Sequence, residues 1–227
     1  MISPFLRALP ISDLLGTLSP TGVVFSNGEI ADLSAHLWPE ERAAMVRSVS
    51  KRVFEFSSGR FHARQALLQA GAKPQAIPVD LDRTPVWPPG IVGSISHSNR
   101  HCIALAAKAA DFSTVAVDLE VATPLDDSLI GYVCDTEELP KPPSARALVA
   151  KYAFCAKECF YKAYYPLVRR FLEFSDVRVS IDMDRGVFHS RLDNVNCPAL
   201  LGTRDVAGRI GLADGHVISL IALPRGA

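Results

Sequence analysis

Two acidic residues on one strand, and a Glu–Lys pair on one helix, are the side chains best spaced in this sequence to act together on a charged ligand. In Val115-Ala116-Val117-Asp118-Leu119-Glu120-Val121, strand alternation sends Asp118 and Glu120 to one face with Ala116, and the four apolar residues to the other. Two carboxylates one pleat repeat apart suit a hard divalent cation such as Mg²⁺, which takes oxygen ligands and shares them with phosphates. A solvated sheet face has the same pattern, and D-x-E by itself does not separate the two. In Phe154-Cys155-Ala156-Lys157-Glu158-Cys159-Phe160-Tyr161-Lys162, Glu158 and Lys162 are four apart and share a helical face with Phe154. In isolation such a pair is a surface ion pair worth about 0.3–0.5 kcal/mol. Here its neighbours are aromatic and small apolar residues, which favours a working site over a solvated face.

Two further groups have the chemistry of anion recognition. Gly93-Ser94-Ile95-Ser96-His97-Ser98 ends a short strand. It approaches the G-x-S-x-G nucleophile elbow, but His97 stands where the second glycine is needed, so a serine hydrolase built on Ser94 or Ser96 is disfavoured. A hydroxyl beside an imidazole, with backbone N–H groups near, suits a phosphate; a satisfied loop histidine is the alternative. Lys51, Arg52, Arg60 and Arg64 form the basic group of one helical stretch. They read either as phosphate forks or as a solvated face.

The elements that must position these groups follow from periodicity and punctuation. Pro39-Glu40-Glu41 opens a helix. A second helix runs from Lys51 to Ala70 and stops at Gly71. The proline-rich segment Thr84–Gly90 is loop. Strands are expected at Ile91–Ser96, Cys102–Ala107 and Thr114–Val121. Ala122–Ser144, rich in Pro and Asp, connects two halves. A long helix spans Ala145–Tyr165, closed by Pro166, and strands follow at Val177–Ile181, Val187–Leu192, Val206–Leu212 and Val217–Leu223. Helix-then-strands occurs twice, which gives an α+β class with two similar lobes. The division expected is 1–121, with the basic groups and the D-x-E strand, and 122–227, with the K-E-x-x-x-K helix.

The bulk properties limit the partners. The 227 residues are 48% hydrophobic, with 24 basic against 24 acidic side chains, so no overall field would hold nucleic acid or an anionic membrane. Residues 1–110 have 11 basic and 8 acidic residues and the remainder 13 and 16, and Arg42–Arg64 holds six basic residues against Glu55 alone. Five cysteines without a CxxC pair argue against a disulfide framework and for a reducing compartment, the cytoplasm. Cys155 and Cys159, without a histidine-rich partner motif, read as buried thiols and not as a zinc site. Arg7, Pro10 and Asp13 interrupt the N-terminal apolar stretch, so no signal-peptide layout is present, and no apolar run is long enough to span a bilayer.

Taken together and in this order, the motifs resemble the surfactin-synthetase-activating and enterobactin type of 4′-phosphopantetheinyl transferase. The resemblance rests on Lys51-Arg52 with Glu55-Phe56 and Arg60, then Trp87-Pro88-x-Gly90 leading into Gly93-Ser94-Ile95-Ser96-His97. Val117-Asp118-Leu119-Glu120 and Ala156-Lys157-Glu158-x-x-x-Lys162-Ala163 complete it. It covers about residues 47–175 and is nearest to shorter actinobacterial and siderophore-pathway members, through Tyr165-Pro166-Leu167 to Phe171-Leu172. Ala116 replaces a usual glycine, Arg83 stands where a lysine is common before the W-P motif, and residues 1–38 carry none of the likeness.

The resemblance implies a pseudo-twofold pair of α+β lobes in one monomeric chain. Its substrates would be coenzyme A and a serine of an apo acyl or peptidyl carrier protein. It further implies Mg²⁺, or Mn²⁺, on Asp118, Glu120 and Glu158, and Lys162 on the pyrophosphate. Lys51, Arg52, Arg60, Arg83, Ser96, His97 and Lys157 would lie around the coenzyme A phosphates. Glu158 and Lys162 would be catalytic, and 3′,5′-ADP would leave. An inactive carrier-binding adaptor keeping the fold is the reading from another class. Buried acids kept without a metal would be costly, which argues against it.

Overall fold

The computed structural model describes residues 9–226; Arg7, read above for a leader pattern, lies outside them. In chain order the main elements are α1 (Ile11–Leu18), β1 (Val24–Glu29), α2 (Pro39–Ala43), α3 (Ser50–Gln69), β2 (Ile91–His97), β3 (His101–Lys108) and β4 (Phe112–Val121). They continue with α4 (Asp127–Val133), α5 (Arg146–Val168), β5 (Val177–Asp182), β6 (Val187–Leu192), β7 (Asp205–Ala213) and β8 (His216–Pro224). The class is α+β, in two compact units. One takes the chain up to Leu18 with Glu120–Ile221; the other takes Ser19–Leu119 with the chain from Ala222 on. The division differs from a single cut between 121 and 122 at both termini. Helix α1 packs on β7, and the chain end returns to the other unit, where Arg225 donates from its backbone N to Asp111 O and from Nη1 to Ala109 O. No helix among the described residues is long and apolar enough to cross a membrane.

In the Ser19–Leu119 unit, α3 lies on an antiparallel sheet of order β1-β3-β2. Strand β3 is central and its Cys102–Ala107 stretch is fully buried. Strand β1 was not anticipated, because Ser26-Asn27-Gly28 reads as a turn. Gly28 is needed for another reason: a Cβ there would stand 2.7 Å from the His62 ring of α3. Absence of a side chain thus lets helix and sheet close, and Ser26 Oγ meets His62 Nδ1 at 2.8 Å in the same contact.

In the other unit, α5 covers the antiparallel run β5-β6-β7-β8. Ala150 and Ala153 of α5 bury Val133, Cys134 and Leu125 of the connecting segment, which is partly helical (α4) and not plain loop. Pro166 lies inside α5 instead of ending it. So close to the C-terminus the missing N–H removes a single helix bond, and the helix ends at Arg169 in the left-handed conformation, φ 55°.

Arg64, open in the sequence between a phosphate fork and part of a solvated face, is neither. Its Nη1 reaches both oxygens of Glu41 at 2.8 Å, and its Nη2 donates to His36 O at 2.8 Å. Glu41, wholly buried, also accepts from Ile77 N at 2.9 Å and from Trp38 N at 3.0 Å. This closed network fastens α2, α3 and the segment after α3 together. Removing one partner leaves an uncompensated buried charge. Arg64→Met should therefore lower the unfolding free energy by about 3–5 kcal/mol in urea titration, whereas Lys51→Ala, at an exposed position, should change it by at most about 0.5 kcal/mol.

Candidate active site

Helix α3 presents Arg52, Glu55, Phe56 and Arg60, at three- and four-residue spacing, to a cavity of about 560 Å³ whose wall also includes Arg83 and His97. The whole cavity belongs to the Ser19–Leu119 unit. Glu55 Oε2 lies 3.6 Å from Arg52 Nη1 and 3.9 Å from His97 Nε2. Arg52 Nη1 stands 3.3 Å from His97 Nε2, and His97 Nδ1 is 3.3 Å from Ser98 O. A proton on Nδ1 donated to that carbonyl leaves Nε2 to accept from Arg52. Arg60 is 6% exposed, donates from Nε to Ile77 O at 2.6 Å and holds its guanidinium 4.3 Å from the centre of the Phe56 ring. Burial pulls its pKa down to about 10, so it remains a cation at neutral pH. Arg83 adopts φ 68°, in a turn closed by Arg83 N to Asp80 O and Asp80 N to Thr84 O, both 2.9 Å. Three guanidiniums and an imidazole line the cavity with one carboxylate, a surplus of positive charge chemically suited to an anion. Lys51 stays outside it, 75% exposed with Glu55 at 3.9 Å.

The acidic strand is no solvated face. Asp118 is 4% exposed, and six consecutive residues of β4, Thr114–Leu119, are buried. Ser96 Oγ donates to Asp118 Oδ1 at 3.0 Å and accepts from Leu119 N at 3.2 Å; Ser94 Oγ accepts from Val117 N at 3.2 Å. The two hydroxyls of β2, one pleat repeat apart, accept from backbone N–H groups of β4. Ser96, expected at a phosphate, donates to Asp118 and so helps to position that carboxylate. The elbow-like glycine likewise has a packing reason, since a Cβ on Gly93 would stand 2.5 Å from the Trp87 ring and 2.7 Å from Leu105 O. A buried Ser94 and Ser96 engaged in this way are not hydrolase nucleophiles.

Two residues further on, Glu120 belongs to the other unit and accepts from Lys151 Nζ at 3.2 Å. Lys151 was missed, although it lies seven residues before Glu158 and hence on the same face of α5. That face forms a half-buried stripe of Lys151, Phe154, Glu158, Tyr161 and Lys162, while the other residues of α5 between Ala150 and Tyr164 are buried. Glu158 lines a second cavity, about 260 Å³, with Tyr132, Tyr161, Phe171, Leu172 and Phe174. Lys157 was expected at the coenzyme A phosphates, and the structure corrects this too. Its buried ammonium donates to Val133 O at 2.7 Å, Glu138 Oε2 at 2.9 Å and Phe174 O at 3.0 Å. Three donors are all an ammonium has. Asp118 and Glu120 offer only oxygen, the donor set of a hard divalent cation. Among the described residues no group of three or more His, Cys, Asp or Glu side chains is drawn together as a finished metal cage.

A cation-lined cavity and a pair of carboxylates on one strand are the site's chemistry, and comparison with known proteins gives the family. Residues 40–107 match the model of the 4′-phosphopantetheinyl transferase N-terminal domain, and residues 114–217 that of the 4′-phosphopantetheinyl transferase superfamily. The chain is 34% identical over 201 residues to 4′-phosphopantetheinyl transferase Svp of Streptomyces mobaraensis, covering 82% of this chain and 78% of that protein. It is 32% identical over 229 residues to 4′-phosphopantetheinyl transferase Npt of Nocardia iowensis, covering 92% and 99%. It is also 33% identical over 139 residues to enterobactin synthase component D of Salmonella typhi, covering 56% and 55%. The chain belongs to the 4′-phosphopantetheinyl transferase family, and its class is that of a transferase.

If Ser96 serves Asp118 and β4 rather than a ligand, Ser96→Ala should destabilise the ligand-free protein by about 1–3 kcal/mol, the penalty for a buried polar group left unmatched. A residue that only touches bound phosphate would leave ligand-free unfolding unchanged, so thermal denaturation without substrate tells the two apart.

Proposed function

We propose that the chain transfers the 4′-phosphopantetheine arm of coenzyme A to a serine hydroxyl of an apo acyl or peptidyl carrier protein, in a Mg²⁺-dependent reaction that releases 3′,5′-ADP. The observation that carries this reading is the cavity of Arg52, Arg60, Arg83 and His97, in a chain whose family transfers phosphopantetheine. Coenzyme A has a phosphate monoester and a diphosphate, and a cavity with three guanidiniums and an imidazole suits such a polyanion. The likeness to an enterobactin synthase component favours a carrier of siderophore or peptide assembly, in the cytoplasm.

In this reading Arg52 and His97 bind the 3′-phosphate, with Arg60 fixing the wall behind them and Arg83 closing the rim. Asp118, Glu120 and Glu158 hold Mg²⁺, which when bound neutralises the diphosphate and stabilises the charge of the departing ADP. Lys162, one turn beyond Glu158, supplies a cation to the same diphosphate. The serine oxygen forms a bond to the β-phosphorus, and the bond from that phosphorus to the bridging oxygen breaks. The serine proton passes to Glu158, directly or through water, and the bridging oxygen leaves with ADP as an anion facing Lys162. Positioning and charge stabilisation supply most of the acceleration.

Intact-mass measurement of apo-carriers, incubated with the protein, coenzyme A and Mg²⁺, should show one phosphopantetheinyl group gained and 3′,5′-ADP released. Asp118→Ala should reduce the rate by about 10²–10³ with the fold retained. A variant keeping more than about a tenth of the wild-type rate contradicts the metal-ligand role of Asp118. Carriers bound but never modified would identify an adaptor instead. Arg52→Ala and His97→Ala should weaken coenzyme A far more than 3′-dephospho-coenzyme A. Equal weakening of both ligands removes these residues from the 3′-phosphate.

A further inference from the structure

Lys151 lies in the first turns of α5, with its Nζ 3.2 Å from Glu120 Oε2 and 5.2 Å from the centre of the Phe154 ring. Its side chain is 13% exposed and that of Glu120 30%. A lysine held between a carboxylate and a ring face is not a mobile surface lysine; the stem is packed and the charge is placed. We propose that Lys151 is the internal counter-cation of the acidic strand, which holds Glu120 in position and makes the divalent ion and the diphosphate bind together rather than the ion alone. The proposal rests on the reading of Asp118 and Glu120 as metal ligands.

The argument is one of sign. The proposed ligands Asp118, Glu120 and Glu158 contribute three negative charges, and Lys151 reduces their sum to two. A divalent ion then leaves this group neutral, whereas without Lys151 it would leave it at one negative charge. Lys151 therefore opposes the bare cation and favours an anion placed on it. Any other charge nearby acts equally with and without Lys151 and drops out of the comparison. A carboxylate can accept from several partners at once, so the ammonium can stay on Glu120 while an ion binds. It then acts as an outer-shell group that fixes the ligand's orientation. Even at the dielectric of bulk water, a unit charge about 6 Å from a divalent ion changes its affinity about tenfold.

The two consequences have opposite directions, which a prop for the helix would not give. Mn²⁺ titration followed by electron paramagnetic resonance, without coenzyme A, should show Lys151→Met and Lys151→Gln binding the ion about tenfold more tightly than wild type. Calorimetry at saturating Mn²⁺ should show both variants binding coenzyme A about tenfold more weakly. Lys151→Arg should keep the wild-type pattern, and Glu120→Gln should lose Mn²⁺. The proposal is overturned if Lys151→Met and Lys151→Gln bind both ligands more weakly or unchanged, or if Lys151→Arg behaves as they do. Wild-type Mn²⁺ binding that survives in Glu120→Gln sinks the metal-ligand reading itself. Absence of Mn²⁺ binding in wild type and Lys151→Met alike sinks both.

Discussion

A carboxylate kept below the surface needs partners of its own, and Asp118, 4% exposed on a strand buried through six consecutive residues, dictates much of what surrounds it. Burying an ionised group without hydrogen bonds is prohibitive. The adjacent stretch of β2 therefore carries hydroxyls where a sheet core would ordinarily carry valine or isoleucine. Ser96 bonds to the Asp118 carboxylate and to the backbone next to it, and Ser94 repeats the backbone bond two residues earlier. The glycine before them admits the Trp87 ring. What reads in the sequence as a truncated nucleophile elbow is a polar seam holding an acid in position.

The basic residues sort by a similar criterion, the balance of donors and acceptors around each. Arg64 is matched by Glu41 and a carbonyl, and Lys157 by one carboxylate oxygen and two carbonyls. Both are structural cations. The cavity on α3 is unbalanced by comparison, with Arg52, Arg60, Arg83 and His97 around the single carboxylate of Glu55. Its surplus charge is tolerable because Arg52 and His97 remain partly open to water, and because Arg60 is steadied by a ring and a carbonyl. An anion entering there meets groups already oriented, and orientation settled in advance is what lowers the entropic cost of binding.

How much of this was legible in the sequence depended on whether local pattern or tertiary contact decided each feature. The core strands and the two long helices follow from periodicity, and α3 and β6 begin and end within a residue or coincide with expectation. Strand β1 was hidden because Asn27-Gly28 signals a turn, and only the His62 ring packed against Gly28 explains the glycine. D-x-E and K-E-x-x-x-K mark the acidic strand and the half-buried face of α5. The individual basic roles were not legible. Arg64 and Lys157 look like ligand-binding cations until Glu41 and Glu138, 23 and 19 residues away in sequence, are brought beside them. Lys151 carried a signal that heptad spacing from Glu158 would have revealed.

Strand β4 imposes one constraint that no choice of side chain could replace. The boundary between the compact units falls between Leu119 and Glu120, so Asp118 and Glu120 belong to different units yet are separated by a single intervening residue. Strand geometry fixes their Cα atoms about 6.8 Å apart on a common face. The spacing of these two carboxylates depends on strand geometry alone. Each unit then holds its own carboxylate, one through Ser96 and the other through Lys151. The spacing of the two acids is thus set within one strand, by the backbone alone.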